Sequence, residues 1–482
     1  MKKFLNKVFK LEENKTNIKT EVVAGITTFL TMAYILAVNP DILGAAGMDK
    51  TAVLIATCLA SFIGTAIMAF AANLPFALSA GMGLNAFFAF TVVGNMGFPW
   101  QVALFAIFLE GIIFIILSIT NVREAIFNSI PLQLKNAVSV GIGLFIAFIG
   151  LQNAGICVLE PSTKVTIIDF TENFSTAGIS ALLALVGVLL TAILYIKNVK
   201  GSILIGIIGT WVIGIFFELV GVYEVNADMG YFSLIPTFEM TDFSKLGMTF
   251  GECFDLDFTG IGVFDFIVVM FAFLFVDLFD TLGTLIGVST KANMLDKDGK
   301  LPRAKQALTA DAIATSAGAI LGTSTTTTFV ESSAGVSEGG RTGLTALTTA
   351  FFFLLSMLFA PIFIAIPSFA TAPALIIVGF LMFTNISELK LTAENYTTAI
   401  PSYICIVAMP LLYSISEGIS MGVISYVIIN LFCKKVETDE AAPESDDGAV
   451  KKYFKTFGKR AKTISPVMYV LAVLFILKYI FL

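Results

Sequence analysis

Two apolar stretches hold the residues best suited to chemistry. FLFVDLFDTLGT, ending at Thr284, is apolar enough to be buried in a membrane yet carries two carboxylates, Asp277 and Asp280. Further along, TTTTFVESSAG adds a third acid, Glu331. An acid at membrane depth is expensive, and it normally faces a cavity, a partner or a transported solute. On a helix Asp277 and Asp280 share roughly one face. Two acids so placed in a low-dielectric site do not both ionise readily. Such a carboxyl can take up a proton on one side of a membrane and release it on the other, or accept N–H bonds from a polar solute. Asp280 is the leading candidate for both tasks. A structural acid bonding neighbouring backbone or hydroxyl groups is the competing reading, and for Asp277 the two readings balance.

Glu331 follows the threonines Thr325 to Thr328, whose β-branched side chains suit an extended stretch. A helix resuming after Ser332 and Ser333 would turn free N–H groups toward a cavity. Glu331 there would hold the polar edge of a planar solute; the alternative is a carboxylate capping its own helix. Asn85, in GMGLNAFF, offers an amide donor and acceptor that would read the edge of a heterocycle, or would bond a neighbouring helix. Phe329 and Phe87 would stack on a planar ring, although among forty-six phenylalanines ordinary packing competes. Asp311 is expected to start a helix as a cap or to join a polar network. SEGGRTG, from Ser337 to Gly343, lacks the lysine of a phosphate loop, so nucleotide hydrolysis is not expected.

The elements that must position these residues are transmembrane. Of 482 residues 57% are hydrophobic and 13% charged, whereas soluble domains carry about 25% charged residues. The fold class expected is an all-α polytopic membrane protein. Apolar runs give fourteen segments, among them Val22–Val38, Ala52–Ala72, Gln101–Ile119, Ile261–Gly287 and Ala307–Gly322. Two are broken: Phe76–Val93 and Thr323–Glu338, each an extended stretch, a glycine or serine cluster, then a helix. They occupy the third place in each set of seven. An odd repeat length makes the halves run in opposite directions, and paired broken segments point to a transporter's midplane site. Lysine and arginine gather at the N-terminus, at Arg123 and Lys135, at Lys197 and Lys200, from Lys291 to Lys305, and after Cys433, against an acidic Tyr223–Gly260 loop. That asymmetry puts the N-terminus in the cytoplasm of a multi-pass cell-membrane protein.

The opening MKKFLNKVFKLEENKTNIKT is read as an amphipathic helix on the membrane surface, with no cleavable signal. Without histidine, zinc and haem sites are not expected, and no cofactor or nucleic-acid partner is implied. Cys157 and Cys253 both fall outside on this topology, so a disulfide is open beside two free thiols.

FVDLFDTLGT, TADAIATSAGAILGTSTTTTFVESSAGVSEGGRTGLTA and NLPFALSAGMGLNAFFAF together resemble the AzgA-like purine permeases, a branch of the xanthine/uracil permease superfamily. The likeness runs from about Thr20 to Cys433. It implies two inverted seven-segment repeats, with short strands in segments three and ten. A core domain (21–122 and 261–367) would move against a gate domain (123–222 and 368–434). Around them would lie an N-terminus over 1–20, an acidic extracellular loop over 223–260, a cytoplasmic linker over 435–463 and a tail over 464–482. The tail either lies in the interface or adds a transmembrane helix.

The resemblance also implies proton-coupled uptake of adenine, guanine or hypoxanthine, and a homodimer. Asp280 and Glu331 match the family's base-binding acids, Asn85 matches its third-segment asparagine, and Phe329 stands where a relative sets an aromatic ring on the base. Where uracil and xanthine relatives have a titratable residue this chain has Thr284, which shifts proton coupling onto Asp280 with Asp277 or Glu331; sodium stays open as the coupling ion. Carboxylates prefer N–H donors, which favours guanine and hypoxanthine over adenine. A sulfate-permease-type anion transporter on the same fold and an intramembrane aspartyl protease are the rival readings. The first would need positive charge at depth, and the second has little beyond the paired aspartates.

Overall fold

The computed structural model describes residues 2–120, 130–236, 239–291, 294, 301–433 and 457–481. Arg123, the acidic stretch Thr438–Gly448 and the start of the basic run after it lie outside the described residues. Among those described the chain is mostly helical, and nine helices are long and apolar enough to cross a membrane. It forms two compact units, Met1–Asn121 with Ile146–Phe380, and Val122–Phe145 with Leu381–Leu482.

The first unit contains the same order of elements twice. Lys50–Ile67 continues through one wide turn, Met68–Ala72, and stops at Asn73, whose φ of 49° reverses the chain into strand β1, Leu78–Ala80, and then the short helix Met82–Ala86. Ala304–Leu321 stops at Gly322, with φ of +100°, and leads into β4, Thr326–Thr328, and the short helix Ser332–Ser337. Between them a hairpin of β2 (Cys157–Glu160) and β3 (Lys164–Ile167) follows the Leu132–Asn153 helix.

Small residues let the helices around these breaks approach closely. A Cβ on Gly64 would strike Ala314, and one on Gly111 would strike Ser316. Both contacts hold neighbouring helices against Ala304–Leu321. The carbonyl end of that helix is closed by the acidic loop: Gly251 N donates to Ile320 O at 2.7 Å, and Thr249 Oγ1 donates to Leu321 O at 3.0 Å.

Helix starts are closed by side chains that the sequence provides nearby or from afar. Asn17 accepts from Thr20 N at 3.1 Å, and Asp49 from Ala52 N at 2.9 Å. Glu21 acts at a distance. Its buried carboxylate accepts from Arg341 N, from the N–H groups of Thr342 and Thr345, and from both threonine hydroxyls. An anion is favoured at that place, where the free N–H groups of Gly343–Ser356 emerge. The N-terminal helix Lys2–Phe9 brings Phe9 and Leu11 against Ala69 and Leu344, and Asn73 Nδ2 donates to Phe9 O at 3.0 Å.

In the second unit Tyr396–Leu411 turns at Tyr413, with φ of 53°, into Ile415–Cys433. Asn430 Nδ2 ties the pair by donating to Thr397 O at 2.8 Å. Pro466–Phe481, 16 residues long, packs along Ile415–Cys433, with Tyr479 OH bonded to Glu417. At 1.5 Å per residue it spans about 24 Å, short of a hydrocarbon core of about 30 Å. Cys157 and Cys253 are free thiols.

Gly322 carries a direct test. Its φ of +100° suits glycine, and a Cβ there would strike Thr249. Gly322→Ala should destabilise the protein by roughly 1–3 kcal/mol, read as a lower unfolding temperature of the purified protein. An unchanged melting curve would show that the loop gives way freely at Thr249.

Candidate functional site

Strands β1 and β4 pair antiparallel over three residues each: Leu78 with Thr328, Ser79 with Thr327, Ala80 with Thr326. Two flanking bonds extend the ladder, Phe329 N to Ala77 O at 2.9 Å and Gly81 N to Thr325 O at 3.0 Å. All six strand residues are buried. So short a ladder leaves backbone groups to be satisfied by other means, and hydroxyls supply them. Thr65 Oγ1 both accepts from Leu78 N (2.9 Å) and lies within bonding reach of Leu78 O (3.1 Å). Thr315 Oγ1 donates to Thr326 O at 3.0 Å, and Ser332 Oγ accepts from Ala77 N at 3.0 Å. The serines and threonines of these segments are thus the polar lining of a dry strand crossing.

Asp280 is carried to this crossing by the helix Val263–Lys291 and is partly buried. A Cβ built on Gly81 would lie 3.6 Å from Asp280 Oδ2 and only 2.6 Å from Thr327 Cγ2. Glycine at 81 is what lets the chain leaving β1 pass the Thr327 methyl, with Asp280 close by. Glu331 lies at the start of Ser332–Ser337 but makes no side-chain cap. Its Oε1 accepts from Tyr34 OH at 2.7 Å. Asp311 reaches the hydroxyl of Thr281, the residue after Asp280, and Glu331 opens the short helix after β4, so the two candidate acids and Asp311 gather about the strand pair.

Phe329 follows directly on β4 and is 5% exposed. Phe87 packs edge-on against Phe273, ring centroids 4.9 Å apart, which is ordinary packing. Asn85 is fully buried and engaged at both ends of its amide. Nδ2 donates to Asn39 Oδ1 at 2.6 Å, and Ser324 Oγ donates to Oδ1. Asn39 in turn donates to Thr57 Oγ1 and Thr323 Oγ1. The structure therefore brings Asp280, Glu331 and Phe329 to the strand crossing and puts Asn85 in a polar network bracing its entry. Asp277 is fully buried one turn before Thr281, and its Oδ1 lies 2.9 Å from the Thr281 hydroxyl. Asp311 does not start a helix: it lies two turns inside Ala304–Leu321 and reaches the same hydroxyl. Among the described residues no group of three carboxylates or thiols converges to hold a metal ion.

A family model for xanthine/uracil permeases, described as a permease family, matches residues 19–421. The chain belongs to the xanthine/uracil permease family. It is 40% identical to the adenine permease AdeP of Escherichia coli, over 99% of this chain and 96% of that one. It is 44% identical to the guanine/hypoxanthine permease PbuO of Bacillus subtilis, over 88% of this chain and 94% of that one. Such relatives correspond to the AzgA-like branch, and they make the chain a membrane permease, not a protease or any other enzyme. The solved transmembrane domain of a cyanobacterial bicarbonate transporter, BicA, superposes with a TM-score of 0.59, over 84% of this chain and 97% of that one. At 14% identity that likeness shows the fold alone.

Sequence reasoning passed over three residues of this xanthine/uracil permease. Tyr34 sits where the first apolar segment breaks into Ile18–Met32 and Ile35–Gly44, a break with no proline or glycine to announce it. Asn39 carried only the weak signal of an amide in an apolar run. Glu110 carried a strong one, an acid inside FAIFLEGIIFII, the same pattern that singled out Asp280. It is fully buried, and Oε2 accepts from Thr325 Oγ1 at 3.0 Å at the entrance to β4.

Tyr34→Phe removes the hydroxyl that orients Glu331. A hydrogen bond to a charged group contributes about 1.5–3 kcal/mol to stability, so the unfolding temperature of the purified protein should fall, and if Glu331 holds solute the apparent affinity should fall with it. Unchanged transport kinetics would show that Glu331 is oriented by something other than Tyr34.

Proposed function

We propose that this permease takes up purine nucleobases with protons, guanine and hypoxanthine in preference to adenine, by alternating access. The observation that carries the reading is the meeting of Asp280 with strands β1 and β4, with the Tyr34-bound Glu331 two residues past Phe329. Paired carboxylates in a dry, hydroxyl-lined crossing suit a neutral planar solute that presents ring N–H donors. Asp280 and Glu331 hold that edge, Phe329 stands beside the ring, and Asn85 keeps the first broken segment in register. Proton coupling falls to Asp280, assisted by Asp277 or Glu331. Relatives named as adenine permeases and as guanine/hypoxanthine permeases support a purine.

The repeated order of helix, left-handed residue, strand and short helix supports two inverted repeats of seven segments each. In that arrangement the core segments (21–122 and 261–367) move against the gate segments (123–222 and 368–434), the N-terminus is cytoplasmic, and the protein works as a homodimer in the cell membrane.

The deciding experiment is uptake of labelled hypoxanthine by cells lacking their own purine carriers, with unlabelled guanine, adenine, uracil and xanthine as competitors. Uptake should be abolished by a protonophore and blocked by purines but not by uracil. Asp280→Asn should lose accumulation altogether, and Glu331→Gln should raise the apparent KM more than it lowers expression. Normal accumulation by Asp280→Asn would remove that residue from the mechanism. Accumulation that follows a sodium gradient and ignores the protonophore would replace the coupling ion.

A further inference from the structure

Next to Asp280 along its helix, a single hydroxyl is surrounded by three oxygen atoms. Thr281 Oγ1 lies 2.9 Å from Asp277 Oδ1, 2.9 Å from Asp311 Oδ1 and 2.7 Å from Thr327 Oγ1. All four residues are buried; Asp277, Thr281 and Asp311 are 0% exposed and Thr327 is 1% exposed. A hydroxyl has one proton to donate and two lone pairs to accept with. In two-centre bonds it donates to only one of these three neighbours, and the other two must donate to it. Thr327 is able to supply one proton. The second has to come from a carboxyl group. If Thr281 donates to Thr327 instead, both carboxyls must carry protons. Every assignment that makes all three contacts two-centre hydrogen bonds thus needs at least one protonated aspartate; the competing arrangement is a weaker three-centre bond from Thr281 to two unprotonated carboxylates.

We infer that Asp277 and Asp311 share one proton through the Thr281 hydroxyl, and that this triad stores and relays the proton coupled to transport. The second half of that statement rests on the proton-coupled reading above; the first rests on the contacts alone. The relay step conserves charge. The O–H bond of protonated Asp277 breaks as its proton passes to Thr281 Oγ1, and the hydroxyl's original proton passes to Asp311 Oδ1. The threonine ends as it began, with its proton facing the other way. Acid and conjugate base have exchanged places between two helices, Val263–Lys291 and Ala304–Leu321.

The triad also touches the crossing. Thr327 is the β4 residue that pairs with Ser79, and its methyl group faces Gly81, beside Asp280 Oδ2. A shift of β4 that accompanies solute binding therefore moves one of the donors on which the shared proton depends. The other ionisable groups of this region are Asp280 on the same helix, Glu331 on the short helix after β4, its partner Tyr34, and Glu110 on Trp100–Ile119. All are acidic, so the shared proton also reduces the negative charge that the crossing would otherwise accumulate. Thr281 and Asp311 act as positioning residues for the proton and touch no solute.

Infrared absorption of the purified full-length protein tests the shared proton directly. The wild type at neutral pH should show a protonated-carboxyl band that shifts in Thr281→Val and is lost in Asp277→Asn or Asp311→Asn. Absence of any such band assignable to these two aspartates would overturn the proposal. Transport tests the relay. Uptake should quicken as external pH falls, Thr281→Val should flatten that profile, and Thr281→Ser, which keeps the hydroxyl, should restore it. An unflattened profile in Thr281→Val would remove the hydroxyl from the relay. A band that behaves as expected, in a protein whose uptake ignores pH and protonophore, would sink the proton-coupled reading and leave the shared proton standing. Should Thr281→Val fail to accumulate as folded protein, Asp311→Asn alone decides by loss of its band.

Discussion

The structure is organised around a sheet of six residues that has no water to fall back on. β1 and β4 cross inside the first unit and bury every residue they contain. In a membrane-spanning chain an unsatisfied backbone group costs several kcal/mol, yet a three-residue ladder satisfies only part of two extended segments. The remainder falls to serine and threonine side chains from flanking helices, at positions 65, 315 and 332. The polar segment TSTTTT is tolerated so deep because those flanking hydroxyls satisfy backbone groups, while four of its own hydroxyls bond buried side chains: Thr323 to Asn39, Ser324 to Asn85, Thr325 to Glu110 and Thr327 to Thr281.

That constraint also decides where acids are found. A helix can cross a bilayer with all its backbone bonds internal, whereas a broken segment must recruit partners from its neighbours. The carboxylates follow the breaks. Glu110 binds the residue leading into β4, Asp277 and Asp311 gather on Thr281 beside Thr327, and Glu21 closes the start of Gly343–Ser356. Asp280 and Glu331 differ from these. Asp280 lies beside Gly81, and Glu331 accepts from Tyr34 without capping its own helix. Acids that brace a break and acids that stand beside the strand pair share the same composition signal and differ only in what stands opposite.

How much was legible in the sequence follows from this difference. The long helices were, because twenty apolar residues between polar turns have few alternatives: Gln101–Ile119 is found as Trp100–Ile119, and Ile261–Gly287 as Val263–Lys291. The two broken segments were legible too, since glycine and serine clusters inside apolar runs have no other simple use. The break at Tyr34 was not, because nothing local marks it, and the partner of its hydroxyl, Glu331, lies nearly three hundred residues away in the chain. Asp311 was misjudged as a helix start because its flanks, LTADAIA, look like a boundary. The helix in fact begins at Ala304, and the acid is required inside it by Thr281. Asn85 illustrates the limit of residue type alone. An amide suits a heterocycle's edge and an asparagine–serine–threonine network equally well, and only the positions of Asn39 and Ser324 show which partners it has.

A fold shared with a bicarbonate transporter at 14% identity makes the sign of the charge at the crossing the informative quantity. A shared fold does not decide between an anion and a neutral ring. Carboxylates beside the strand pair would repel an anion in a medium of low dielectric, where the interaction is far stronger than in water. They would welcome a neutral solute rich in N–H donors, and one carboxyl that gains a proton changes from acceptor to donor without any movement of the backbone. A purine offers both donors and acceptors along one edge. On the proposed mechanism the same pair of acids would bind differently before and after protonation, and that difference is what a coupled carrier needs: a ligand shifts a conformational equilibrium only by its differential affinity for the two states. The hydroxyls of Thr65, Thr315 and Ser332 hold the strands in place, so that on this mechanism protonation, and not movement of the strands, would decide which edge of the solute is held.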